Sequence, residues 1–312
     1  MNIGFFTEGG YMGKISRNHP NMRSDVSWIC ALGATHHPIV SLPHLQDNMY
    51  DIGIVIIPKT KNYLLEFPLM ENLKRVCKKT CVMQESTYWY WQDNEIAEQI
   101  WYYNILLEFD LILCHNDNDL NYYRGMTKKP CEILPTVMIP DFVDIKSKKT
   151  DSVMIGGNFV SIYRGFDSYM VALEFSKNVW APTTGRMKKL EKELDLNHLP
   201  WVDWLQFMNH LSGMKLGVQL GTPSAGSFNL NCSYLGIPCI GYDDVNTQKD
   251  LHPSLTVSDG DIIKAKELSD KLKTDIEFYE NCSNETKKIY QNKYSEKVFL
   301  KKWGEIISKH LK

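Results

Sequence analysis

The sequence lacks both a long hydrophobic run and an excess of either charge. No stretch approaches the roughly 20 apolar residues that a membrane-spanning helix requires, and the N-terminus has no basic segment typical of a signal peptide. The 35 Lys and Arg residues nearly balance the 37 Asp and Glu residues, so the formal net charge is −2. Global charge therefore gives no sign of nucleic-acid binding, and the sequence predicts a cytoplasmic protein with no membrane span.

The eight cysteines form no recognisable metal-binding or disulfide pattern. No Cys-x-x-Cys pair occurs, and Cys77 and Cys81 have no histidine nearby at ligand spacing. Cytosolic thiols are normally kept reduced, so we expect all eight to be free and expect no zinc site. The sequence also has no internal repeat and no low-complexity tract.

Buried strands alternate with helices along the whole chain, which predicts α/β domains with parallel sheets. A chain of 312 residues is long enough for two domains, and a polar segment at 141–150 is the expected linker. We therefore predict two Rossmann-like, doubly wound domains facing a cleft, over residues 1–145 and 146–312. The Lys-rich final helix could pack across the domain junction or contact DNA or a membrane.

Continuous apolar runs predict parallel strands that are covered on both faces. In the N-terminal half the expected strands lie at 2–7, 39–42, 51–58, 80–84, 110–114 and 131–134. In the C-terminal half they lie at 153–155, 215–220 and 237–241, with a basic helix at 185–194. Ligands of open α/β sheets bind beyond the carboxyl ends of the strands, so residues that follow strands are the candidates for function.

Two glycine-marked segments in the second half each combine a buried strand, a tight turn and a helix start. Gly156, Gly157 and Asn158 follow one apolar strand, and Gly226 marks the second turn. A helix start presents backbone N–H groups and the positive end of a dipole to an anion. Two such elements in one domain suit a nucleotide diphosphate, and a turn that only shapes the chain is the alternative for each.

Residues 226–241 resemble the donor-site segment of GT-B glycosyltransferases, in which a Gly-aromatic turn opens a helix. The resemblance implies a nucleotide-sugar donor, with UDP as the expected nucleotide, and donor contacts from Gly226, Ser227 and Phe228. Many retaining members carry two glutamates eight positions apart here, where this chain has Pro223 and Asn231. The retaining glutamate-pair mechanism is therefore not expected, whereas the Asn231 amide can hydrogen-bond a ribose hydroxyl.

Residues 151–164 resemble the strand, Gly-Gly-x-Phe loop and arginine of the T-even phage DNA β-glucosyltransferases. By that resemblance Gly157 allows close backbone approach, Ser161 donates a hydrogen bond, and Arg164 pairs with phosphate oxygens, which its planar fork suits. Gly10, in the glycine-rich loop after the first strand, is a further candidate donor contact. Double-stranded DNA with hydroxymethylated bases becomes a candidate partner, in the host cytoplasm if the protein is phage-encoded.

Glu85 and Asp25 are the candidate catalytic carboxylates. Glu85 follows strand 80–84, where the DNA glucosyltransferases place a catalytic aspartate, and Asp25 resembles a glutamate of theirs that lies near the sugar. An inverting transfer needs one carboxylate to take the proton of the acceptor hydroxyl, which favours Glu85 as the base with Asp25 assisting. Helix or turn capping is the alternative role for each.

Asp117 and Asp119 form an Asp-x-Asp pattern that binds a divalent metal in another glycosyltransferase fold. Its position at a helix start favours capping, so no metal-binding residue is predicted. A divalent cation remains compatible with the reaction, because it can neutralise a leaving diphosphate without a dedicated protein cage.

The combined prediction is an inverting, nucleotide-sugar-dependent glycosyltransferase. Its leading acceptor is a 5-hydroxymethylated pyrimidine in phage DNA, which must be flipped from the duplex, with the aromatic residues 88–91 stacking on the base or replacing it. The alternatives are transfer to a surface glycan or a small hydroxyl acceptor, and a non-catalytic nucleotide-binding protein on the same fold.

Overall fold

The computed structural model describes residues 1–58, 67–84, 86–146, 148–160, 162–182, 191, 193–223 and 225–312. Glu85, Ser161 and most of the basic helix predicted at 185–194 lie outside these residues. The chain divides into two compact units. The first contains residues 1–19, 24–139 and 296–312, and the second contains residues 20–23 and 140–295.

The first unit is built on a seven-stranded sheet in the order β2-β3-β1-β4-β5-β6-β7. Neighbouring strands are parallel except for the short edge pair β2 and β3. The strands are β1 (Ile3–Thr7), β2 (Gly13–Lys14), β3 (Thr35–Pro38), β4 (Tyr50–Val55), β5 (Cys77–Met83), β6 (Leu111–Cys114) and β7 (Cys131–Ile133). The chain leaves β1 toward β3 on one side and later returns to β4 on the other, so the connections reverse direction between β1 and β4.

Helices cover both faces of this sheet, as the fully buried strands require. Phe5 and Phe6, on opposite faces of β1, are both completely buried. The helices are α1 (Ser24–Ala31), α2 (Leu69–Val76), α3 (Ile96–Glu108), α4 (Asp117–Thr127) and the C-terminal α11 (Glu296–His310), with 3-10 turns at Ile39–His44 and Tyr88–Asp93. The apolar stripe of α11 is buried: Phe299 and Trp303 lie in one core cluster with Trp28.

The strand predicted at 39–42 is wrong, because those residues form a 3-10 turn and the strand lies at Thr35–Pro38. The actual strand β3 looks polar in the sequence because it contains two buried histidines. His36 hydrogen-bonds Thr7 Oγ1 at 2.7 Å and the Tyr11 carbonyl at 2.6 Å, and His37 bonds the Tyr50 hydroxyl at 2.6 Å. Specific partners thus allow polar side chains inside a buried strand.

The second unit contains a six-stranded, fully parallel sheet in the order β10-β9-β8-β11-β12-β13. The strands are β8 (Val153–Ile155), β9 (Val179–Pro182), β10 (Asn197–Leu199), β11 (Leu216–Gln219), β12 (Cys239–Tyr242) and β13 (Thr256–Val257). Numbered within the unit this is the order 3-2-1-4-5-6 of a dinucleotide-binding sheet, whose connections reverse between β8 and β11.

The helices of the second unit follow the same alternation. They are α5 (Gly165–Phe175), α6 (Trp204–Leu211), α7 (Ser227–Leu235), α8 (Asn246–Leu251), α9 (Ile262–Thr274) and α10 (Ile276–Lys293), with a 3-10 turn at Pro253–Leu255. Within the described residues, none of the helices of either unit combines the length and apolarity needed to cross a bilayer.

Candidate functional site

The reversal point of the second sheet lies between the ends of β8 and β11, and a buried glutamine joins the two strand ends. Gly156 follows β8 and donates its N–H to the Val218 carbonyl at 2.8 Å. The Gln219 side chain forms a second hydrogen bond between the two strand ends, since its Nε2 donates to the Gly156 carbonyl at 3.0 Å. Gln219 Oε1 is buried and has no partner among the described residues, so a ligand donor or a water can satisfy it.

The two glycines after β8 leave no room for side chains. A methyl group on Gly156 would lie 2.6 Å from the Phe228 ring and 2.9 Å from Gln219 Cβ. Gly157 has φ +104° and lies against the Tyr163 ring. The structure thus brings the two glycine-marked segments together, with Phe228 of α7 packed over Gly156. Packing accounts for part of the glycine requirement at Gly156, and its donor contact stays a prediction.

The N-terminus of α7 is shaped by Gly226, which adopts φ +56°. A methyl group there would overlap Thr247 Oγ1 and lie 2.6 Å from Val245 Cγ1. Thr247 Oγ1 donates to the Gly226 carbonyl at 3.0 Å, which fixes the turn to α8. Gly226 has no side chain that could cap the helix, so it leaves the positive end of the α7 dipole uncapped at its own position.

Gly226→Ala should destabilise the second unit by about 2–4 kcal/mol, because a left-handed alanine costs about 1–2 kcal/mol and the overlap with Thr247 adds to it. Gly304→Ala is the matched control, since a methyl group added to that helical glycine would meet no neighbouring side chain within 4 Å and alanine should be neutral or slightly stabilising there. Urea unfolding of both variants measures the difference. Equal free energies of unfolding would contradict the tight turn at Gly226.

Arg164 lies at the start of α5 in a left-handed conformation with φ +43°. Its guanidinium forms a two-pronged ion pair with Asp259, whose second contact is 3.3 Å between Nη2 and Oδ2. It also lies over the Tyr242 ring, with Cζ 5.3 Å from the ring centroid. The hydrogen bond with Asp259 raises the pKa of Arg164 further, so the group remains a permanent cation.

Two further carboxylates follow β12 beside this arginine. Burial and the neighbouring charges of Asp259 and Asp243 raise the pKa of Asp244, and the charge of Arg164 opposes that increase. The carboxyl ends of β12 and β13 thus hold three acidic groups around one arginine. An anion that approaches Arg164 is attracted by the hydrogen-bond donors of the guanidinium and repelled by the negative charges of the carboxylates.

The other predicted donor contacts lie on α7 and on the loop after β8. Asn231 is 6% exposed, on α7. Ser227 opens α7, and Asn158 is half-buried after Gly157. An amide can accept and donate a hydrogen bond, as the predicted ribose contact of Asn231 requires, and that contact stays a prediction.

In the first unit, Gly10 and Asp25 lie near the reversal point of the sheet. Gly10 has φ +101° in the loop after β1 and is not packed against any described atom at its missing side chain. Asp25 is buried in the first turn of α1, and its charge opposes the lowering of the His36 pKa, for which burial is the main cause. The loop is held by His36, which binds the Tyr11 carbonyl.

Sequence reasoning missed a group of unsatisfied polar atoms at the carboxyl ends of β5 and β6. Gln84 Nε2, Thr87 Oγ1 and both ring nitrogens of His115 are buried without partners among the described residues. Gln84 Oε1 accepts from Tyr102 and from Tyr123 at 3.1 Å. Polar residues directly after apolar strands were the available signal. Such atoms can bind hydroxyl or amide groups of a ligand.

No protein-family model matches the chain, and no curated protein sequence matches it. Solved structures do match. A sucrose-phosphate synthase from Thermosynechococcus elongatus has a TM-score of 0.66 at 11% identity, over 83% of this chain and 73% of that chain. The pneumococcal O-GlcNAc transferase GtfA, in complex with UDP and GlcNAc, has a TM-score of 0.60 at 11% identity. That match covers 88% of this chain, which spans only 59% of GtfA.

A third match runs through both chains from end to end. An alpha-glucosyltransferase, in complex with UDP and a 13-mer DNA containing a HMU base, has a TM-score of 0.66 at 13% identity over 99% of each chain. The chain has the GT-B fold. Identities this low concern the fold alone, so the GT-B scaffold fixes neither donor nor acceptor.

On this GT-B scaffold, two sequence hypotheses can be compared with the packing. Tyr88 stacks on Tyr122 at 4.3 Å and Trp91 stacks on Tyr102 at 4.0 Å, so one face of each ring is already covered and the predicted stacking on a base stays a prediction. At the Asp-x-Asp segment the cap of α4 is the preceding Asn116, which accepts from the Asp119 N–H at 2.8 Å. The Asp119 side chain accepts instead from the Tyr88 N–H at 2.9 Å.

Proposed function

We propose that the chain is a glycosyltransferase whose second unit binds a UDP-sugar. The observation that carries the proposal is the reversal point of the second sheet, where the Gly156–Gly157 turn, the unsatisfied Gln219 amide and the N-terminus of α7 converge. In an open α/β sheet this is the position at which nucleotides bind. The GT-B neighbours that contain UDP support the same assignment.

Each donor contact has a distinct role in this proposal. The start of α7 at Gly226 and Ser227 faces the diphosphate, because backbone N–H groups and the helix dipole favour an anion there. Asn231 binds a ribose hydroxyl, and Arg164 neutralises charge on the leaving diphosphate. Stabilising that charge is commonly the largest electrostatic contribution to such reactions. A divalent cation could assist, although the residues assigned here do not include a ligand for it.

The acceptor we propose is a 5-hydroxymethylated pyrimidine in duplex DNA. The full-length match to an alpha-glucosyltransferase in complex with DNA supports it, since that likeness leaves no large part of either chain unmatched. The acceptor base must leave the stack, and Gln84 and His115 offer unsatisfied polar atoms for its polar edge or for the sugar. Such an acceptor implies that the protein acts in the cytoplasm that contains the DNA.

In the proposed step, the acceptor hydroxyl oxygen attacks the anomeric carbon and the bond from that carbon to the β-phosphate oxygen breaks. Glu85 takes the hydroxyl proton, Asp25 assists, and UDP leaves as the anion that Arg164 faces. One base is sufficient for an inverting displacement, in contrast to the two carboxylates of a typical glycoside hydrolase. The anomeric configuration of the product tests the inverting course.

The deciding experiment is mass spectrometry of nucleosides from 5-hydroxymethylcytosine and 5-hydroxymethyluracil DNA after incubation with the protein and a panel of nucleotide sugars. We expect one nucleoside to gain the mass of a single hexose with UDP as the by-product. Release of UDP without modified DNA would retain the transferase and reject the DNA acceptor. Neither product would reject the enzyme and leave a non-catalytic nucleotide-binding protein.

Transfer to a glycan or another small hydroxyl acceptor is the second candidate, and the match to GtfA, whose complex contains UDP and GlcNAc, supports it. Salt dependence separates the two acceptors. Binding to DNA phosphates releases counterions, so association should weaken steeply as salt rises, whereas binding to a neutral glycan should change little.

A further inference from the structure

The anion-binding face of Arg164 is occupied by a carboxylate of the same chain. Asp259 follows β13 and lies 95 residues from Arg164 in the sequence, and its two oxygens pair with the two terminal nitrogens of the guanidinium. This paired geometry is the same fork that arginine presents to phosphate. Asp259 therefore uses the donors that a diphosphate would need.

The pair is accessible rather than sealed in the core. The Arg164 side chain is 33% exposed and that of Asp259 is 45% exposed. Because water reaches both groups and screens the ion pair, a doubly charged anion can compete with the carboxylate for the guanidinium. Tyr242 beneath the guanidinium keeps its plane in position during such an exchange.

The negative charge around Arg164 favours a diphosphate that replaces Asp259 over one that binds beside it. Asp244 lies close enough to Asp259 for the two carboxylate charges to interact, and Asp243 adds a further negative charge next to Asp244. A diphosphate that joined this cluster with every carboxylate in place would meet like charges at close range, which is unfavourable. The repulsion falls when Asp259 leaves the arginine or loses its charge.

We propose that Asp259 is a built-in competitor of the donor diphosphate for Arg164, so that nucleotide binding exchanges one carboxylate for phosphate oxygens. The inference rests on the proposed UDP-sugar site and assigns its regulation. Asp259 is here a positioning residue, since it acts on the donor through Arg164. The exchange sets the affinity for the diphosphate without changing the affinity for the nucleoside.

Asp259→Asn tests the competition because it removes the charge and keeps the shape. Isothermal titration with UDP should show about three- to tenfold tighter binding, whereas uridine binding should not change. The affinity for inorganic pyrophosphate should increase by a similar factor. Asp151→Asn is the matched control: it removes the same charge from an exposed ion pair with Lys215, just before β8 at the opposite end of the sheet.

Arg164→Lys retains the charge and loses the fork, so UDP binding should weaken and most of the gain from Asp259→Asn should disappear in the double variant. Unchanged or weaker UDP and pyrophosphate binding by Asp259→Asn would overturn the competition, as would an equal gain for uridine. If UDP and uridine fail to bind any variant, the proposed donor is wrong. The pyrophosphate titration then still decides whether Asp259 blocks an anion site.

Discussion

Replacing Glu85 with glutamine is expected to lower kcat for sugar transfer by about 10²- to 10⁴-fold, the usual contribution of a general base. Glutamine is nearly isosteric with glutamate but cannot take a proton from the acceptor hydroxyl. UDP binding should be unchanged, because the contacts proposed for the diphosphate and the ribose lie in the second unit. The prediction starts from sequence position: Glu85 directly follows Gln84, which two tyrosine hydroxyls hold at the end of β5.

Rate and affinity must be measured on the same preparation to isolate the base. The control is Glu71→Gln, which removes the same charge from an exposed residue in the first turn of α2. If Glu85→Gln retains wild-type kcat, Asp25 becomes the remaining carboxylate candidate, and Asp25→Asn should then carry the loss. If both variants remain fully active, neither carboxylate is the base.

Strand and helix alternation predicted two parallel sheets, and the structure contains both. The misplaced β3 and the unpredicted β10 share a cause, because both contain polar residues. Segments such as Asn197–Leu199 have three residues and a polar start, and His36 and His37 make β3 look polar. Apolar periodicity identifies strands only where burial is achieved by apolar residues.

The candidate site likewise contains features that the sequence could predict and features that it could not. Gly157 and Gly226 could be predicted because their positive φ angles require glycine, and a glycine at such a turn is visible in the sequence. The partner of Arg164 could not, since Asp259 lies 95 residues away and only the order of the strands brings the two together. Gln219 was visible as a polar residue in an apolar strand, but its bond to Gly156 depends on the neighbouring strand.

Acidification is the second large effect that we expect, because each unit contains a histidine buried in its neutral form. Burial lowers the pKa of His115 to about 4 and that of His252 to about 4. Both ring nitrogens of His115 and Nδ1 of His252 have no partner among the described residues. A proton on His115 would therefore create a buried charge without a partner among the described residues. A proton on His252 would create a buried charge stabilised by one hydrogen bond, from Nε2 to the Asn229 carbonyl at 3.0 Å.

The direction of the change in stability with pH follows from how many protons the folded and unfolded states bind. Unfolded histidine takes up a proton below about pH 6.5, whereas the folded rings stay neutral to about pH 4. The unfolded state binds more protons between these values, so stability falls as the pH falls through that window. Linkage gives a loss of about 2 kcal/mol per histidine at pH 5, and about 3 kcal/mol once the pH reaches 4.

Hydrogen exchange with mass spectrometry at pH 7 and pH 5, corrected for the intrinsic exchange rate, reads the two units separately. His115→Gln should flatten the pH dependence of the first unit only, and His252→Gln that of the second unit only, whatever each does to stability at pH 7. His44→Gln, at an exposed position, should leave both slopes unchanged. Slopes that survive both buried substitutions would assign the acid sensitivity to other groups. In the first unit these include His36 and His37, whose pKa values burial lowers, and Glu132, whose pKa is lowered by its ion pairs with Lys309 and His310.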